Sequence, residues 1–185
     1  MKSYAGFWQR VAAFALDYLI ILGYLIGIVA LSLLANQIFN TDSWLFADRI
    51  WAQFVAFLLV TLPVTLYFAV SESSVRQSTW GKGRLKLKVA NRNGSRISLR
   101  RALSRTLLKF VPWELSHTLI WQIYFSQQSE PVWINYGFAL VYLLLGLNIF
   151  SLIITKTNQT LYDLLTSTYV ISTQESNFEI PVHRS

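Results

Sequence analysis

A carboxylate within an apolar helix is the feature of this chain that most strongly suggests chemistry. Asp17 lies at the start of the first long apolar run, and Arg10 precedes it by seven residues. A carboxylate at the centre of a bilayer costs roughly 2.5 to 3.5 kcal/mol, so it is seldom kept without a partner or a task. Seven residues are nearly two helical turns, which puts both side chains on one face. The spacing predicts that Arg10 reaches toward Asp17, whose carboxylate could hold a proton or a small cation.

A second polar pair lies further along the chain. Glu114 and His117 share a helical face at their spacing of three residues. Glu-x-x-His is a known metal-ligand unit, but di-metal bundles need two copies and further carboxylates, and only one copy is present. A structural pair is therefore preferred over a proton relay or a metal site. An enzyme that acts on lipid would need more ligands than these two.

The composition indicates a membrane protein. Hydrophobic residues make up 54% of the 185 residues and charged residues only 14%, against about 25% charged in ordinary soluble domains. The absence of cysteine excludes disulfides, thiolate metal sites and a cysteine nucleophile. No nucleotide-binding loop or serine-base triad is evident. We therefore expect no enzymatic activity and no cofactor.

Apolar segments predict an all-α polytopic fold in a single domain over residues 1–185. Segments 16–35, 50–70 and 132–154 are long enough to cross a hydrocarbon core of about 30 Å. Segment 110–125 is shorter and contains Glu114 and His117, so it could span, re-enter or lie in the interface. We therefore predict about four transmembrane or re-entrant helices.

The charge distribution predicts the orientation. Eleven lysine and arginine residues between 71 and 109 face a single acid, Glu72. By the positive-inside rule this loop and the N-terminus are cytoplasmic. The short connection after residue 125 favours a crossing by 110–125, which would place the tail, 155–185, in the cytoplasm as well.

The basic loop has its own organisation. Leu85, Leu87 and Val89 alternate with lysines before an Asn-Gly turn signal, which predicts a small β-hairpin. Ser98 would cap an amphipathic helix from Leu99 to about Lys109. Its basic face suits anionic lipid headgroups, while nucleic acid is not expected as a partner. The predicted lipid contacts are Lys82, Arg84, Arg100, Arg101 and Arg105.

Three motifs carry a resemblance to a known family. They are YAGFWQRVAA at residues 4–13, QSTWGK at residues 77–82 and QTLYDLL at residues 159–165. In this order they resemble the RDD family of bacterial membrane proteins, which is named for one arginine and two aspartates. By position these are Arg10, Asp17 and Asp163. Relatives often have Gly-Lys-Arg where this chain has Lys82 followed by Gly83 and Arg84, which shifts one charge by one place.

The resemblance implies a multi-pass protein of the bacterial inner membrane. For this family a transport role, including cation/proton exchange by an antiporter, has been suggested, and some members look like partners or regulators of other membrane proteins. With a cytoplasmic tail, Arg10 would lie between Asp17 and Asp163, a net negative site suited to a proton or small cation. Alternatively, the cluster only locks the tail onto the first helix.

The size of the chain leaves its partners open. Four spans without a repeat are few beside transporters built from paired repeats. A transporter would therefore need a homo-oligomer, and an accessory protein would bind another membrane protein or anionic lipid. The β-prone residues 168–171 could add a strand to the predicted hairpin and strap the tail across the cytoplasmic face.

Overall fold

Helices form most of the protein. The computed structural model describes residues 3–126 and 131–173. Its three long continuous helices are α1 (Phe7–Phe39), α6 (Leu99–Phe125) and α7 (Trp133–Ile154). A fourth long helix is composite and consists of α3 (Arg49–Ala56), a π-helical turn (Phe57–Thr61) and α4 (Leu62–Ser73). The short helices are α2 (Asp42–Leu45), α5 (Trp80–Arg84) and α8 (Leu161–Leu165).

Three helices of the described residues are long and apolar enough to cross a membrane. They are Phe7–Phe39, Arg49–Ser73 and Trp133–Ile154, and each contains one of the predicted apolar segments. The helical membrane fold with a small β element is therefore confirmed. Helix α1 is much longer than segment 16–35, since its 33 residues give a length of about 50 Å.

The π-helical turn has a clear cause in Pro63. Proline has no N–H to donate to the carbonyl four residues earlier, here that of Leu59, and its ring crowds that carbonyl. The preceding Leu62 N–H bonds to Phe57 O instead, five residues back. The freed Leu59 oxygen accepts a hydrogen bond from the Tyr24 hydroxyl at 2.6 Å. The irregular turn thus ties the composite helix to α1.

A three-stranded sheet joins distant parts of the chain. Strands β1 (Ser3–Tyr4) and β2 (Leu87–Ala90) both pair antiparallel with β3 (Tyr169–Ser172). The pairing of β3 with β2 is the one predicted for the tail. Together with α5 and α8, the sheet forms one end of the helical bundle, here called the polar end. The N-terminal residues and the described C-terminal residues therefore lie at the same end.

The partner strand of the predicted hairpin is different from the one expected. After β2 the chain does not return as a strand; it makes a compact turn in which Asn91 N–H bonds to Ser95 O at 2.9 Å. The Asn91 side chain also donates to Arg96 O at 3.0 Å. Ile97 then enters the core, and Ser98 begins α6 by accepting the Arg101 N–H. Because these residues satisfy the turn locally, β2 is free to pair with β3.

Helix α6 corrects the predicted helix end at Lys109. The basic helix and segment 110–125 form one helix that passes through Pro112. It lies antiparallel along the composite helix from one end to the other. Successive contacts are Arg105 with Glu72, Phe110 with Phe68 (ring centroids 5.7 Å apart), Glu114 with Thr61, and Thr118 with Gln53 (2.7 Å).

Candidate functional site: a buried charge cluster

Seven charged side chains from five elements meet at the polar end. We call them the charge cluster: Arg10, Asp17, Glu72, Lys82, Arg105, Lys109 and Asp163. Its three acids are all 0% exposed. Buried carboxylates are tolerated only when paired or hydrogen-bonded, so the partners of each acid determine what the cluster can do.

Asp163 is held by two arginines. Its Oδ2 lies 2.6 Å from Arg10 Nη1, and its Oδ1 lies 2.8 Å from Arg105 Nη2. The Thr168 hydroxyl and the Thr160 N–H also donate to this carboxylate, at 3.1 and 3.3 Å. Burial alone would raise the pKa of Asp163, but Arg105 and Arg10 outweigh it and hold the pKa well below its usual range. Asp163 is thus an ionised tether between α1, α6 and α8.

Glu72 is the second acid that Arg105 binds. Arg105 Nη1 lies 2.5 Å from one Glu72 oxygen, and Lys82 bonds to the other. Arg105 therefore bridges two carboxylates, which the fork of a guanidinium allows and a lysine ammonium does not. Burial would lower the pKa of Arg105, yet Asp163 and Glu72 raise it above its ordinary value. For Lys82, burial is the larger influence and lowers the pKa, with Glu72 opposing it.

Asp17 does not pair with Arg10, so that prediction is wrong. Its carboxylate accepts hydrogen bonds from the Tyr67 hydroxyl (2.8 Å), the Thr79 hydroxyl (2.6 Å) and the Gly81 N–H (2.7 Å). Side chains on a helix lean toward its N-terminus, so Arg10 leans away from Asp17. It reaches instead to Asp163 and, through Nε, to Ala5 O at 3.2 Å.

The QSTWGK motif is explained by the contact between α5 and α1. Thr79 caps α5 by accepting the Lys82 N–H and also donates to Asp17. Gly81 sits directly on α1, where a Cβ would collide with Ala13 O and would lie 2.8 Å from Asp17 N. The motif therefore consists of the residues that dock α5 on the buried carboxylate.

The predicted lipid contacts divide into two groups. Arg84, Arg100 and Arg101 are exposed, as that role requires. Lys82 and Arg105 are buried in ion pairs, so the prediction is wrong for them. The small neighbours of Arg105 on its face of α6, Ala102 and Thr106, are fully buried and let this face pack inside the bundle.

The Glu114–His117 pair lies on α6, beyond the charge cluster. Glu114 accepts a hydrogen bond from the Thr61 hydroxyl of the π-helical turn, and His117 Nδ1 lies 3.6 Å from Glu114 Oε1. Within 3–126 and 131–173, no three metal-ligating side chains come together. The contacts seen fit the structural interpretation, and a metal site or a proton relay stays a prediction.

The charge balance differs from the one predicted for a cation site. Four basic and three acidic side chains form the cluster, and Arg10 is not shared between Asp17 and Asp163. The expected surplus of negative charge around Arg10 is therefore wrong. Sequence reasoning did not give Glu72, Tyr67, Thr79 and Lys109 a place in this site. The only signal for Glu72 was its being the single acid beside eleven basic residues.

Comparison with known proteins gives one match. The model of the RDD family matches residues 4–167, a range that contains Arg10, Asp17 and Asp163 and nearly all of the described structure. No curated protein and no solved structure matches the chain.

Proposed function

This chain belongs to the RDD family, and we propose that it is an accessory or regulatory membrane protein without enzymatic activity. In this proposal the charge cluster is a structural clasp and not a cation or proton exchange site. The observation that carries the proposal is the occupation of the carboxylates. Each of Asp17, Glu72 and Asp163 accepts from at least two protein donors.

A cation would have to displace these donors. Sodium-like cations need several oxygen ligands, as hard cations do generally, and both Asp17 oxygens already accept hydrogen bonds. One donor is the backbone N–H of Gly81, which cannot turn away without moving α5. The same bonds join α1, α4 and α5, and the Asp163 bonds join α1, α6 and α8. A clasp of this kind explains why the family's arginine and aspartates lie far apart in the sequence.

The sheet supports four crossings. Strands β2 and β3 pair, so the chain between them must cross a bilayer an even number of times. Helix α7 is one candidate span of that stretch, and α6 is the other long helix in it. We therefore propose that α6 crosses too. The basic residues of 71–109 would place the polar end, with both termini, on the cytoplasmic side of a bacterial inner membrane.

Helix α1 is the surface we assign to a membrane partner. The apolar window of this helix has none of its residues buried within the described chain. The other two candidate spans bury about a fifth of theirs, 22% and 17%. Another membrane protein or a second copy could pack there without disturbing the clasp.

Cation/proton exchange is the second candidate. One observation favours it: among the described residues, no basic side chain forms an ion pair with Asp17, which also borders a large cavity. A proton could then leave Asp17 through the Tyr67 hydroxyl that is bonded to it.

Ion-dependent proton movement in proteoliposomes tests the two candidates. Wild type, Asp17→Asn and Asp48→Asn would be compared under sodium, lithium and potassium gradients. Asp48→Asn is the matched control, because Asp48 is an exposed cap of α3 and asparagine caps equally well. We expect no ion-dependent flux in any of the three. Flux in wild type and Asp48→Asn that is lost in folded Asp17→Asn would establish exchange and overturn the clasp.

A further inference from the structure

A cavity of about 490 Å³ lies beside the charge cluster, between α1, α6 and α7. This volume falls within the roughly 300–1,000 Å³ of small-molecule sites. Much of its wall is apolar, and several wall residues are nearly half exposed: Phe14 46%, Leu145 46% and Ile149 48%. The cavity is therefore open. Because α1 and α7 are candidate spans, an opening between them faces acyl chains.

The other part of the wall is basic, and two of its cations have unused donors. Arg10 Nη2 is buried without a hydrogen-bond partner. Lys109 Nζ lies 3.5 Å from the centroid of the Phe68 ring and just over 5 Å from those of Phe14 and Phe110. Rings stabilise an ammonium through their faces, but they leave its three N–H donors without a strong acceptor. No described carboxylate forms an ion pair with Lys109.

The acid on the cavity wall does not supply this acceptor. Asp17 borders the cavity, but its oxygens already accept from Tyr67, Thr79 and Gly81. The wall also holds an unused acceptor, because Asn148 Oδ1 is buried without a partner while its Nδ2 donates to Leu144 O. A ligand that completes the wall would thus bring an anion for Arg10 and Lys109 and a hydroxyl for Asn148.

We propose that this cavity binds an acyl-chain lipid with an anionic phosphate headgroup. The phosphate accepts from Arg10 and Lys109, and a headgroup hydroxyl donates to Asn148. The first part of an acyl chain lies along Leu145 and Ile149 of α7. A helix is about 10–12 Å across with its side chains, which is too large for this volume, so a lipid is the occupant that suits both walls. The inference goes beyond the accessory role, because it assigns a ligand whether or not a protein partner binds.

Lipid binding to the full chain in neutral detergent tests the proposal. Native mass spectrometry would count bound dioleoyl phosphatidylglycerol and dioleoyl phosphatidylcholine, which share acyl chains. We expect phosphatidylglycerol to bind about tenfold more tightly, the effect of one charge-assisted hydrogen bond. Lys109→Gln should remove that preference. Arg100→Gln, which removes an exposed charge from the same helix, should retain it.

A second variant separates the cavity from the charge. Leu145→Trp fills the apolar part without changing charge, and its half-exposed site should tolerate the larger ring. We expect it to weaken the binding of both lipids, and it carries the test if Lys109→Gln does not fold. Equal binding of the two lipids by wild type would overturn the proposal. So would an equal loss in Arg100→Gln, unchanged binding in Leu145→Trp, or displacement of phosphatidylglycerol by inorganic phosphate, which would indicate a site for free anions.

Discussion

The charge cluster and the Glu114–His117 pair include side chains of the same helix, α6, but they treat charge differently. In the cluster, Glu72 and Asp163 are fully buried and share Arg105. Glu114 and His117 keep side-chain exposures of 29% and 28%, and His117 Nδ1 lies 3.6 Å from the carboxylate. Full burial leaves no water to replace a lost partner, so the cluster must be complete. The pair can lose a contact at little cost, and we therefore expect removal of a cluster charge to affect folding most.

The largest effect should come from Arg105→Met. This change removes one partner from each of Glu72 and Asp163 at once. Breaking a buried ion pair by removing one side costs about 3–5 kcal/mol, so we expect a large fall in the Tm of the detergent-solubilised protein. Arg100→Met, at an exposed site of the same helix, should change stability by no more than about 0.5 kcal/mol. Equal losses in the two variants would show that the clasp does not hold the fold.

Acid should weaken the cluster next, with a sign set by Asp163. Arg105 and Arg10 hold the pKa of Asp163 low in the folded protein, so unfolding makes the carboxylate bind protons more tightly. Its contribution is fully present above the unfolded aspartate pKa of about 3.9. It is lost as the pH falls through the lowered folded pKa. We expect the Tm contribution of this group to be constant from about pH 5 to 8 and to decline below about pH 4.

Asp163→Asn provides the comparison for this acid dependence. The variant should start from a lower Tm at neutral pH and decline less in acid, because the titrating group is gone. Asp48→Asn, at an exposed cap, should follow the wild-type profile. Parallel profiles for wild type and Asp163→Asn would show that the stability of the cluster does not depend on this charge.

A smaller effect is expected from Gly81→Ala. The added Cβ would meet the Ala13 carbonyl and the Asp17 backbone nitrogen, neither of which can swing aside. Overpacking of this kind costs about 1–3 kcal/mol, and we expect a matching fall in Tm. Gly83→Ala is the control, because its nearest neighbour is the Ser78 Oγ at 3.4 Å. A fall as large in Gly83→Ala would indicate a general loss of α5 rather than a failure of docking.

The smallest effect should come from Glu114→Gln. The amide oxygen can still accept from the Thr61 hydroxyl, and only the contact with His117 weakens. Exposed and half-exposed ion pairs contribute about 0–1 kcal/mol, so the Tm should fall by a degree or two at most. A loss comparable to that of Arg105→Met would mean that the pair belongs with the cluster in importance.

Several features could be predicted because they depend on local pattern. Apolar length predicted the helices Phe7–Phe39, Arg49–Ser73 and Trp133–Ile154. Cap chemistry predicted the start of α6 at Ser98. The β-prone tail predicted the pairing of β3 with β2. Each of these depends on hydrophobicity or on hydrogen bonds that neighbouring residues determine, so a single stretch of sequence is sufficient.

The errors share a different cause. Helical spacing placed Arg10 and Asp17 on one face but not the direction in which Arg10 leans, and it bonds to Asp163, 153 residues away. The basic face of α6 was assigned to lipid because Arg105 has the same charge as its exposed neighbours. Which of these arginines lies inside depends on where Glu72 and Asp163 are, and that is a property of the packed helices.

By itself the sequence determined that this is a multi-pass membrane protein of the RDD family, with Arg10, Asp17 and Asp163 as its family residues. Apolar length and three ordered motifs are sufficient for that, since both are read along the chain. Only the tertiary structure decided which charges pair, that Asp17 docks α5, and that Lys109 faces a cavity. Those outcomes depend on distances between residues remote in sequence, because a buried charge must be satisfied by whichever partner the fold brings within reach.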